Sequence, residues 1–461
     1  MAGISGPLEV FRSRFGGDVL VPGDESYDGV RALWNGAFDR RPAVIARCRA
    51  TDDIVEVVRF ARESGLPLAV RGGGHSLAGL SSCDDGIMLD LSLMRDVRVD
   101  PETRTAIAQP GATWADFDAA TQAQGLASTG GLISHTGVAG LTLGGGIGWL
   151  MRKHGLAADN LSAAEVVTSD GSILRANGSD EQELLWGLRG GGGNFGVVSS
   201  FEFRLHPVGP TVLGGLLAFP LDRGNEVLMA YRAWAAELPD EFTTMAAVVT
   251  APPAPFVPAE LVGKRIVAIP GCWCGEIEAG LAALAPMREL KPAIDAFGPM
   301  PYTALQGMLD EGAPPGIHAY TRSGYAADLS DGLIDAVIEH GARMTTPFSQ
   351  IHFHQMGGAV ARVGDDDTAF GNRRAAFAYT INAMWMEPGE DERHEAANRE
   401  AFDAFAPYST GGVYVNFLGN EGGARVRAAY SEAKFERLAR LKRTYDPQNL
   451  FRLNQNIEPA A

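Results

Sequence analysis

The sequence predicts an α+β protein of two or three domains. Its 461 residues suffice for more than one hydrophobic core. Up to about His206, helix and strand patterns alternate and include hairpins, one of them turning at Asp170 and Gly171. After Pro207 the chain changes to longer alternating strands separated by proline-rich loops such as APPAPFVP. This change indicates a second domain over residues 209–410.

Individual elements follow from local signals. The stretch beginning at Thr51 has acidic first-turn residues, apolar residues at helical spacing and a closing Gly65, which together predict a helix. The apolar run LPLAVRG that follows predicts a short buried strand. Thr113, with Asp116 three positions on, predicts an N-capped helix. The spacing of apolar residues from Ala424 to Thr444 predicts one final amphipathic helix.

Composition excludes several classes of function. The net charge of −17 argues against nucleic-acid binding, which needs an excess of lysine and arginine. The first 17 residues lack the features of a secretory signal, and the apolar stretch GLTLGGGIGWLM is too short and glycine-rich to span a membrane. Four cysteines in so long a chain do not form a disulfide framework, and Cys272 and Cys274 lack a second pair to hold zinc. We therefore expect a cytoplasmic protein without a metal site.

Glycine is unusually concentrated in three clusters. They are RGGGH at 71–75, LGGGIGW at 143–149 and RGGGGNFG at 189–196. Only the third matches G-x-G-x-x-G, but a helix precedes it and a strand follows, the reverse of the order that a Rossmann fold requires. Glycine loops can still hold a pyrophosphate through backbone N–H groups. By spacing alone, phosphate-binding loops and structural turns are equally good interpretations.

Longer motifs carry a family resemblance. They are RGGGHS, QPGATW, HTGVAGLTLGGGIGWL, AADNLSAAEVVTSDG, ELLWGLRGGGGNFGVV and the terminal YDPQNLFRLNQNI. Together they resemble the berberine-bridge-enzyme-like FAD-linked oxidases of the vanillyl-alcohol oxidase group. The bacterial members of the 6-hydroxy-D-nicotine oxidase and enterocin-pathway types are the most similar. The resemblance extends over nearly the whole chain and is weakest in the middle.

The resemblance implies a domain arrangement. Residues 1–208 would form a two-lobed PCMH-type FAD-binding domain. Residues 209–410 would form a substrate domain, an antiparallel sheet backed by helices. Residues 411–461 would return to the FAD domain.

The resemblance also implies that His75 bonds covalently to the 8α-methyl group of FAD. Many relatives add a second link from a cysteine about eleven residues before the GGG cluster, and that position is Ile133 here. We therefore expect FAD attached through His75 only. His135 is either a polar pocket residue or a loop hydrogen-bonding residue, and the sequence leaves both open.

The matching motifs imply further FAD-binding positions in the glycine loops and at the chain end. They are Arg71, Gly72, Gly73, Gly74, Ser76, Gly79, Pro110, Gly111, Gly130, Gly131, Thr136, Gly137, Gly140, Leu141, Gly148, Val198 and Asn454.

The proton acceptor departs from the family pattern. Several relatives carry Y-x-N-Y with the second tyrosine as base, but here Phe417 follows Tyr414 and Asn416. His352 and His354, two apart on a predicted strand, project from one face. We take His352 as the first candidate for a catalytic polar group. The next candidates are Tyr379, Tyr414 and His135; packed or solvated strand residues remain an equal alternative.

The resulting expectation is an FAD-linked oxidase that transfers a hydride from a small, secondary-metabolite-like substrate to flavin N5, with reoxidation by O2 to H2O2. Three alternatives stay open. They are a flavin-dependent oxygenase or oxidative cyclase, an oxygen-insensitive dehydrogenase, for which Leu141 is the residue to examine, and a non-catalytic flavin carrier or binding protein. Neither a nucleic acid nor a membrane is an expected partner, and we expect a monomer or homodimer.

Overall fold

The computed structural model describes residues 5–461; the first four residues, part of the stretch predicted to lack a secretory signal, lie outside it. The elements of the first part, in chain order, are α1 (Ser5–Arg14), β1 (Asp18–Leu20), α2 (Tyr27–Arg31), β2 (Val44–Arg47), α3 (Thr51–Ser64), β3 (Leu68–Arg71), β4 (Ile87–Asp90), β5 (Val97–Asp100), β6 (Thr105–Ala108), α4 (Trp114–Gln122), β7 (Leu126–Ala127), α5 (Val138–Leu143), α6 (Met151–His154), α7 (Ala157–Asn160), β8 (Leu161–Val167), β9 (Ile173–Ala176), α8 (Gln182–Leu188), β10 (Val197–Arg204) and β11 (His206–Pro207).

These strands build one larger sheet for each lobe, and β7 pairs with β11 in a separate two-stranded sheet. The first has the order β1-β2-β4-β3, with parallel pairing of β2 and β3 to β4. The second is antiparallel, in the order β5-β6-β10-β8-β9. The two-lobed PCMH-type arrangement that the resemblance implied is confirmed.

Helices α3 and α4 confirm the local predictions. Helix α3 spans Thr51–Ser64 and ends at Gly65, whose φ of 68° is left-handed. Its N-cap is Ala50, whose backbone N–H donates to the Asp53 carboxylate at 3.1 Å. In α4, Thr113 is the N-cap and its hydroxyl accepts the N–H of Asp116.

The middle of the chain forms one large antiparallel sheet backed by helices. Its elements are β12 (Thr211–Pro220), α9 (Gly224–Ala236), β13 (Phe242–Thr250), β14 (Arg265–Trp273), α10 (Ile277–Glu289), β15 (Ile294–Asp295), β16 (Gly298–Pro301), α11 (Tyr302–Gln306), β17 (His318–Ala326), α12 (Asp331–Ala342), β18 (Gln350–Gln355), α13 (Gly358–Arg362), β19 (Phe377–Trp385) and α14 (Asp391–Phe405). The strand order is β15-β12-β14-β13-β18-β19-β17, and β16 pairs with β12.

One face of this sheet is covered by helices. Val227 and Tyr231 of α9, Leu333 of α12 and Phe405 of α14 pack with strand residues such as Phe353 in one buried cluster. Burial of this apolar face stabilises the sheet. Side chains two apart on a strand share a face, so the alternate residues project from the opposite side.

The C-terminal segment differs from its prediction. The single helix expected from Ala424 to Thr444 is two helices, α15 (Gly423–Ala428) and α16 (Glu432–Tyr445). The break occurs because Ser431 caps α16, its hydroxyl accepting the N–H of Lys434. Leu438 and Leu441 of α16 pack in the core of the second lobe, so the segment does return to the first part of the chain.

A buried ion pair fixes this return. Lys442 and Asp446 are fully buried and lie 2.7 Å apart. The Lys442 ammonium also donates to the backbone oxygen of Asn194, within the third glycine cluster. The end of the chain is thereby held against that cluster. Between residues 5 and 461, no helix combines the length and apolar character needed to cross a bilayer.

Candidate functional site

A cavity of about 1210 Å³ lies between the uncovered face of the large sheet and the glycine loops. The first part of the chain contributes residues 72–77, 136–137, 139–141 and 192–193. The sheet contributes side chains from β12, β13, β14, β17, β18 and β19. Residues 414–418 and 453–455 close it from the C-terminal segment. Motifs far apart in the sequence therefore border a single space.

The glycines bring two loops into backbone contact beside this cavity. A Cβ atom on Gly73 would lie 2.4 Å from the backbone nitrogen of Gly137, and one on Gly137 would lie 2.5 Å from that of Gly73. Either distance is too short for a real side chain, so both loops require glycine here. By contrast, a Cβ on Gly140 or Gly193 would meet nothing within 4 Å. Those two glycines leave open space at the cavity wall.

Eleven of the eighteen residues predicted to bind FAD line the cavity. They are Gly72, Gly73, Gly74, His75, Ser76, Thr136, Gly137, Gly140, Leu141, Val198 and Asn454. Gly192 and Gly193, which belong to the cluster that fails the Rossmann test, also line it. The sequence contained a signal for these two glycines in their clustering, although the motif itself pointed to the wrong fold.

The other predicted FAD-binding residues lie behind the wall. They are Arg71, Gly79, Pro110, Gly111, Gly130, Gly131 and Gly148, none of which lines the cavity. Arg71 donates to the backbone oxygen of Val30 and lies near Asp90. A Cβ on Gly148 would lie 1.7 Å from the backbone oxygen of Gly130. These residues support the loops from behind, a role that motif spacing alone does not separate from ligand contact.

His75 is held in place by two neighbours, His135 and Trp34. Its Nε2 atom lies 2.8 Å from Nδ1 of His135, a hydrogen bond between two imidazoles. Its ring stacks on Trp34, with ring centroids 5.1 Å apart. The His135 loop is anchored in turn by Ser134, whose backbone N–H and hydroxyl both donate to the Asp310 carboxylate, at 2.7 and 2.6 Å. This arrangement leaves Nδ1 of His75 outside the histidine pair.

Burial keeps the His75 imidazole neutral. Desolvation, reinforced by the neighbouring His135, lowers the pKa of His75 to about 3. A neutral imidazole retains a nucleophilic lone pair at neutral pH. His135 itself lies against His75 and does not line the cavity, so the structure places it as a hydrogen-bonding loop residue.

His352 and His354 both face the cavity from β18, as the alternation of that strand predicts. Burial lowers the pKa of His352 to about 4 and that of His354 well below its ordinary value. Nε2 of His354 has no hydrogen-bond partner in the described chain, and its ring packs against Phe417 at 5.5 Å. The cavity therefore presents two neutral imidazoles from one strand.

Tyr379 does not line the cavity, so the prediction that it is a candidate catalytic group is wrong. Its ring packs against Phe353 and Phe405, on the face that the helices cover. The cavity-facing residues of β19 are Thr380 and Asn382, on the opposite side of the strand. Residues two apart on a strand share a face, but this alternation does not indicate which face the helices cover.

Tyr414 borders the cavity but is already engaged through its hydroxyl. The Tyr414 oxygen accepts the N–H of Gly146 at 2.8 Å and the side-chain amide of Asn416 at 2.7 Å. Burial raises the pKa of Tyr414 to about 12. These contacts tie the second glycine cluster to the C-terminal segment. Phe417, in place of a second tyrosine, lines the cavity with no ionisable group.

The cavity fits FAD by the chemistry of its walls. Lys and Arg are absent from the described residues that line it, so a pyrophosphate would be held by backbone N–H groups. Gly72, Gly73 and His75 offer such groups, which donate to no other acceptor within residues 5–461. The open space at Gly140 and Gly193 admits a ligand against bare backbone. Residues 5–461 contain no cluster of three side chains that could hold a metal ion, and the pair His352 and His354 is not part of one.

Two family models match the chain. The FAD binding domain model matches residues 42–177, and the model described as "Berberine and berberine like" matches residues 413–458. The first matched segment contains the His75 loop and the second contains Tyr414, and both residues line the cavity.

Relatives match over nearly the full length. The FAD-linked oxidoreductase YgaK of Bacillus subtilis (strain 168) is 30% identical, with 97% of this chain and 98% of that protein covered. Similar in structure is 6-hydroxy-D-nicotine oxidase from Arthrobacter nicotinovorans, at a TM-score of 0.88 and 26% identity, covering 97% and 98% of the two chains. Berberine bridge enzyme from Eschscholzia californica shares the fold at a TM-score of 0.86 and 22% identity, covering 99% of each chain.

Proposed function

Because the chain belongs to the berberine-bridge-enzyme-like FAD-linked oxidoreductases, we propose that it is an oxidase acting on a small organic molecule. The observation that carries the proposal is the single cavity joining the His75 loop to the His352 strand. A cofactor bound along the glycine loops and a substrate held under the sheet would share that space. FAD, when bound, accepts two electrons from the substrate and returns them to O2.

We assign covalent attachment of FAD to His75 alone. Attachment would replace the imidazole N–H bond and one C–H bond of the 8α-methyl group by a C–N bond. O2 would take up the two electrons and two protons released, giving H2O2. Support comes from the neutral His75 imidazole and its His135 partner. Ile133, which lines the cavity where relatives carry a cysteine, has no thiol for a second bond.

We assign proton acceptance to His352. Bound FAD would accept a hydride from a substrate C–H bond, and His352 would take the proton of the neighbouring O–H or N–H, so that the substrate would gain a double bond. His352 is neutral at pH 7, faces the cavity and stands beside Thr380 in the strand register. A positioned base of this kind contributes roughly 10²–10⁴-fold to rate. Tyr414, with its raised pKa and occupied hydroxyl, acts as a support for the loop.

The state of the cysteines bears on the cellular compartment. All four cysteines are free and buried, which is consistent with the cytoplasm that we propose. We keep a monomer or homodimer as the expected assembly.

The test uses the purified yellow protein. Alcohols, amines, phenols and polyketide-like compounds are screened for loss of flavin absorption without oxygen, and air is then admitted. The proposal expects at least one compound to bleach the flavin and to yield one H2O2 per molecule oxidised. Bleaching that air does not reverse would identify a dehydrogenase, and labelled oxygen in the product would identify an oxygenase. Either result contradicts the oxidase assignment.

A further inference from the structure

The cavity-facing side of the large sheet is divided into a polar and an apolar half. The polar half consists of the adjacent strands β18, β19 and β17. Within it, Gln350 stands opposite Asn382, which in turn stands opposite Thr321, and His352 stands opposite Thr380. All five side chains line the cavity. Hydroxyl, amide and imidazole groups thus form one continuous hydrogen-bonding patch.

The apolar half consists of β13, β14 and β12. Ala247 of β13 stands opposite Ala268 of β14, and Pro270 of β14 stands opposite Leu216 of β12. Val249 continues this surface along β13 toward the end of the strand. Each of these residues lines the cavity. The side chains of the two alanines are short, which leaves room for a ligand beside His352.

A proline-rich loop extends the apolar half outward. Residues 251–264 connect β13 to β14, and Val257 and Leu261 of this loop pack on Ile266 at the base. Pro252, Pro253 and Phe256 of the loop line the cavity. Phe256 is also 53% exposed to solvent, so it lies at the mouth. The apolar surface therefore extends from the centre of the sheet to the opening.

The cavity walls are nearly free of charge. Of the described lining residues, Glu311 alone carries a carboxylate, and it is exposed at the rim. His352 and His354 are neutral because burial lowers the pKa of each imidazole. A charged group brought into such a site would lose its hydration without gaining a partner. The walls therefore disfavour both ammonium and carboxylate substrates.

We propose that the substrate is a neutral amphiphile, a hydroxyl-bearing head with an apolar tail of several carbons. The head lies against the polar patch, where His352, Asn382 and Gln350 can bond to its hydroxyl group. The tail lies on Ala247, Ala268 and Leu216 and points toward the proline-rich loop. This inference rests on the proposed function for the site, and it adds the substrate class.

The experiment measures binding by calorimetry on the protein as purified with its flavin, so no turnover is required. The probes are 4-methylphenol, 4-propylphenol and 4-hexylphenol, which share a head and differ in tail length. Burial of each methylene favours binding by roughly fourfold, the equivalent of about 0.8 kcal/mol. We expect 4-hexylphenol to bind at least about tenfold more tightly than 4-methylphenol.

Charged and polyhydroxylated probes test the other half of the inference. Tyramine and 4-hydroxyphenylacetate match 4-propylphenol in size but carry an ammonium or a carboxylate group. We expect each to bind at least about tenfold more weakly than 4-propylphenol. The disaccharide xylobiose, for which the apolar half offers no hydrogen bonds, should not bind. Equal or tighter binding of any of these three would overturn the proposal.

Two variants locate the tail. Ala268→Leu fills the apolar half on β14, which β13 separates from β18, and should abolish the advantage of the hexyl tail while leaving 4-methylphenol binding unchanged. Val249→Ala enlarges the same half and should preserve that advantage. An unchanged tail preference in Ala268→Leu, in protein that retains its flavin absorption, would contradict the placement.

The two proposals fail separately. If the binding order is as expected but no probe or screened compound bleaches the flavin, the oxidase assignment fails and the ligand class stands. If peroxide forms but charged compounds bind best, the oxidase assignment stands and the ligand class fails.

Discussion

Nε2 of His75 lies 2.8 Å from Nδ1 of His135, although the two residues are sixty positions apart in the sequence. At most one of these two facing nitrogens can carry a proton, because a hydrogen bond needs one donor and one acceptor. His135 can therefore select the tautomer of His75. Nδ1 of His75 then remains as the ring nitrogen outside the pair.

Replacing His75 tests the attachment directly. His75→Ala should bind FAD without a covalent bond, because no other nucleophile replaces the imidazole at that position. Denaturing the wild-type protein in acid should leave the yellow colour in the precipitate, whereas the variant should release it. The control is His340→Ala, on α12, which packs near Phe405 on the helical face. Colour retained in the precipitate of the His75 variant would exclude His75 as the attachment residue.

Replacing His135 should slow attachment without abolishing it. His135→Phe keeps a ring beside His75 but removes the nitrogen that holds its tautomer, and we expect attachment to be at least about tenfold slower. His135→Asn, which restores a polar partner, should recover part of the rate. The measurement follows protein-bound flavin fluorescence on denaturing gels after FAD is added to apoprotein. Identical rates for the phenylalanine and wild-type proteins would mean that the pair has no role in attachment.

Replacing His352 should reduce turnover of whichever compound bleaches the flavin. His352→Gln keeps polarity and size but cannot accept a proton at neutral pH, so kcat should fall roughly 10²–10⁴-fold. The wild-type rate should decline as the pH falls toward the pKa of about 4 of His352, because the imidazole becomes protonated there. The variant should lack this decline. Tyr379→Phe, on the opposite face of the neighbouring strand, is the matched control and should leave the rate unchanged.

Acid should destabilise the fold through its buried histidines. Burial lowers the pKa of His154 to about 3, and the unfolded chain titrates near the ordinary value of 6.5. Between pH 6.5 and pH 3 the unfolded state binds more protons than the folded state. The contribution of His154 to the free energy of unfolding is therefore largest above pH 6.5 and decreases as the pH falls from 6.5 toward 3. Each such histidine contributes a slope of about 1.4 kcal/mol per pH unit. Urea unfolding at several pH values should show that the free energy of unfolding of His154→Gln depends less steeply on pH than that of the wild type. The difference should equal the slope contributed by one histidine.

Two alanine substitutions distinguish a glycine required by loop packing from a glycine that leaves space for a ligand. Gly73→Ala places a Cβ 2.4 Å from the Gly137 nitrogen and should destabilise the protein by about 1–3 kcal/mol. Gly140→Ala meets no atom within 4 Å, so its melting temperature without FAD should match that of wild-type apoprotein. Because its methyl group faces the cavity, it should weaken FAD binding instead. Equal apoprotein stabilities for the two variants would contradict the contact between the two loops.

Local motifs were enough to predict much of the site. The glycine loops, His75 and the two histidines of β18 all border the cavity, because each lies in a short segment whose local chemistry is distinctive. The cap at Thr113 and the end of α3 at Gly65 also followed from neighbouring residues. By contrast, the final helix breaks at Ser431, where capping outweighed a continuous apolar stripe.

The sequence by itself determined the α+β fold, the glycine loops and the face that His352 shares with His354. Only the tertiary structure decided which face of the large sheet borders the cavity, because the helices pack against Phe353 and Tyr379 and bury the other face. It also decided the His75–His135 pair and the stacking of Trp34, which join residues from separate segments. Such contacts depend on how distant backbones approach one another, and no local pattern of residue types specifies that approach.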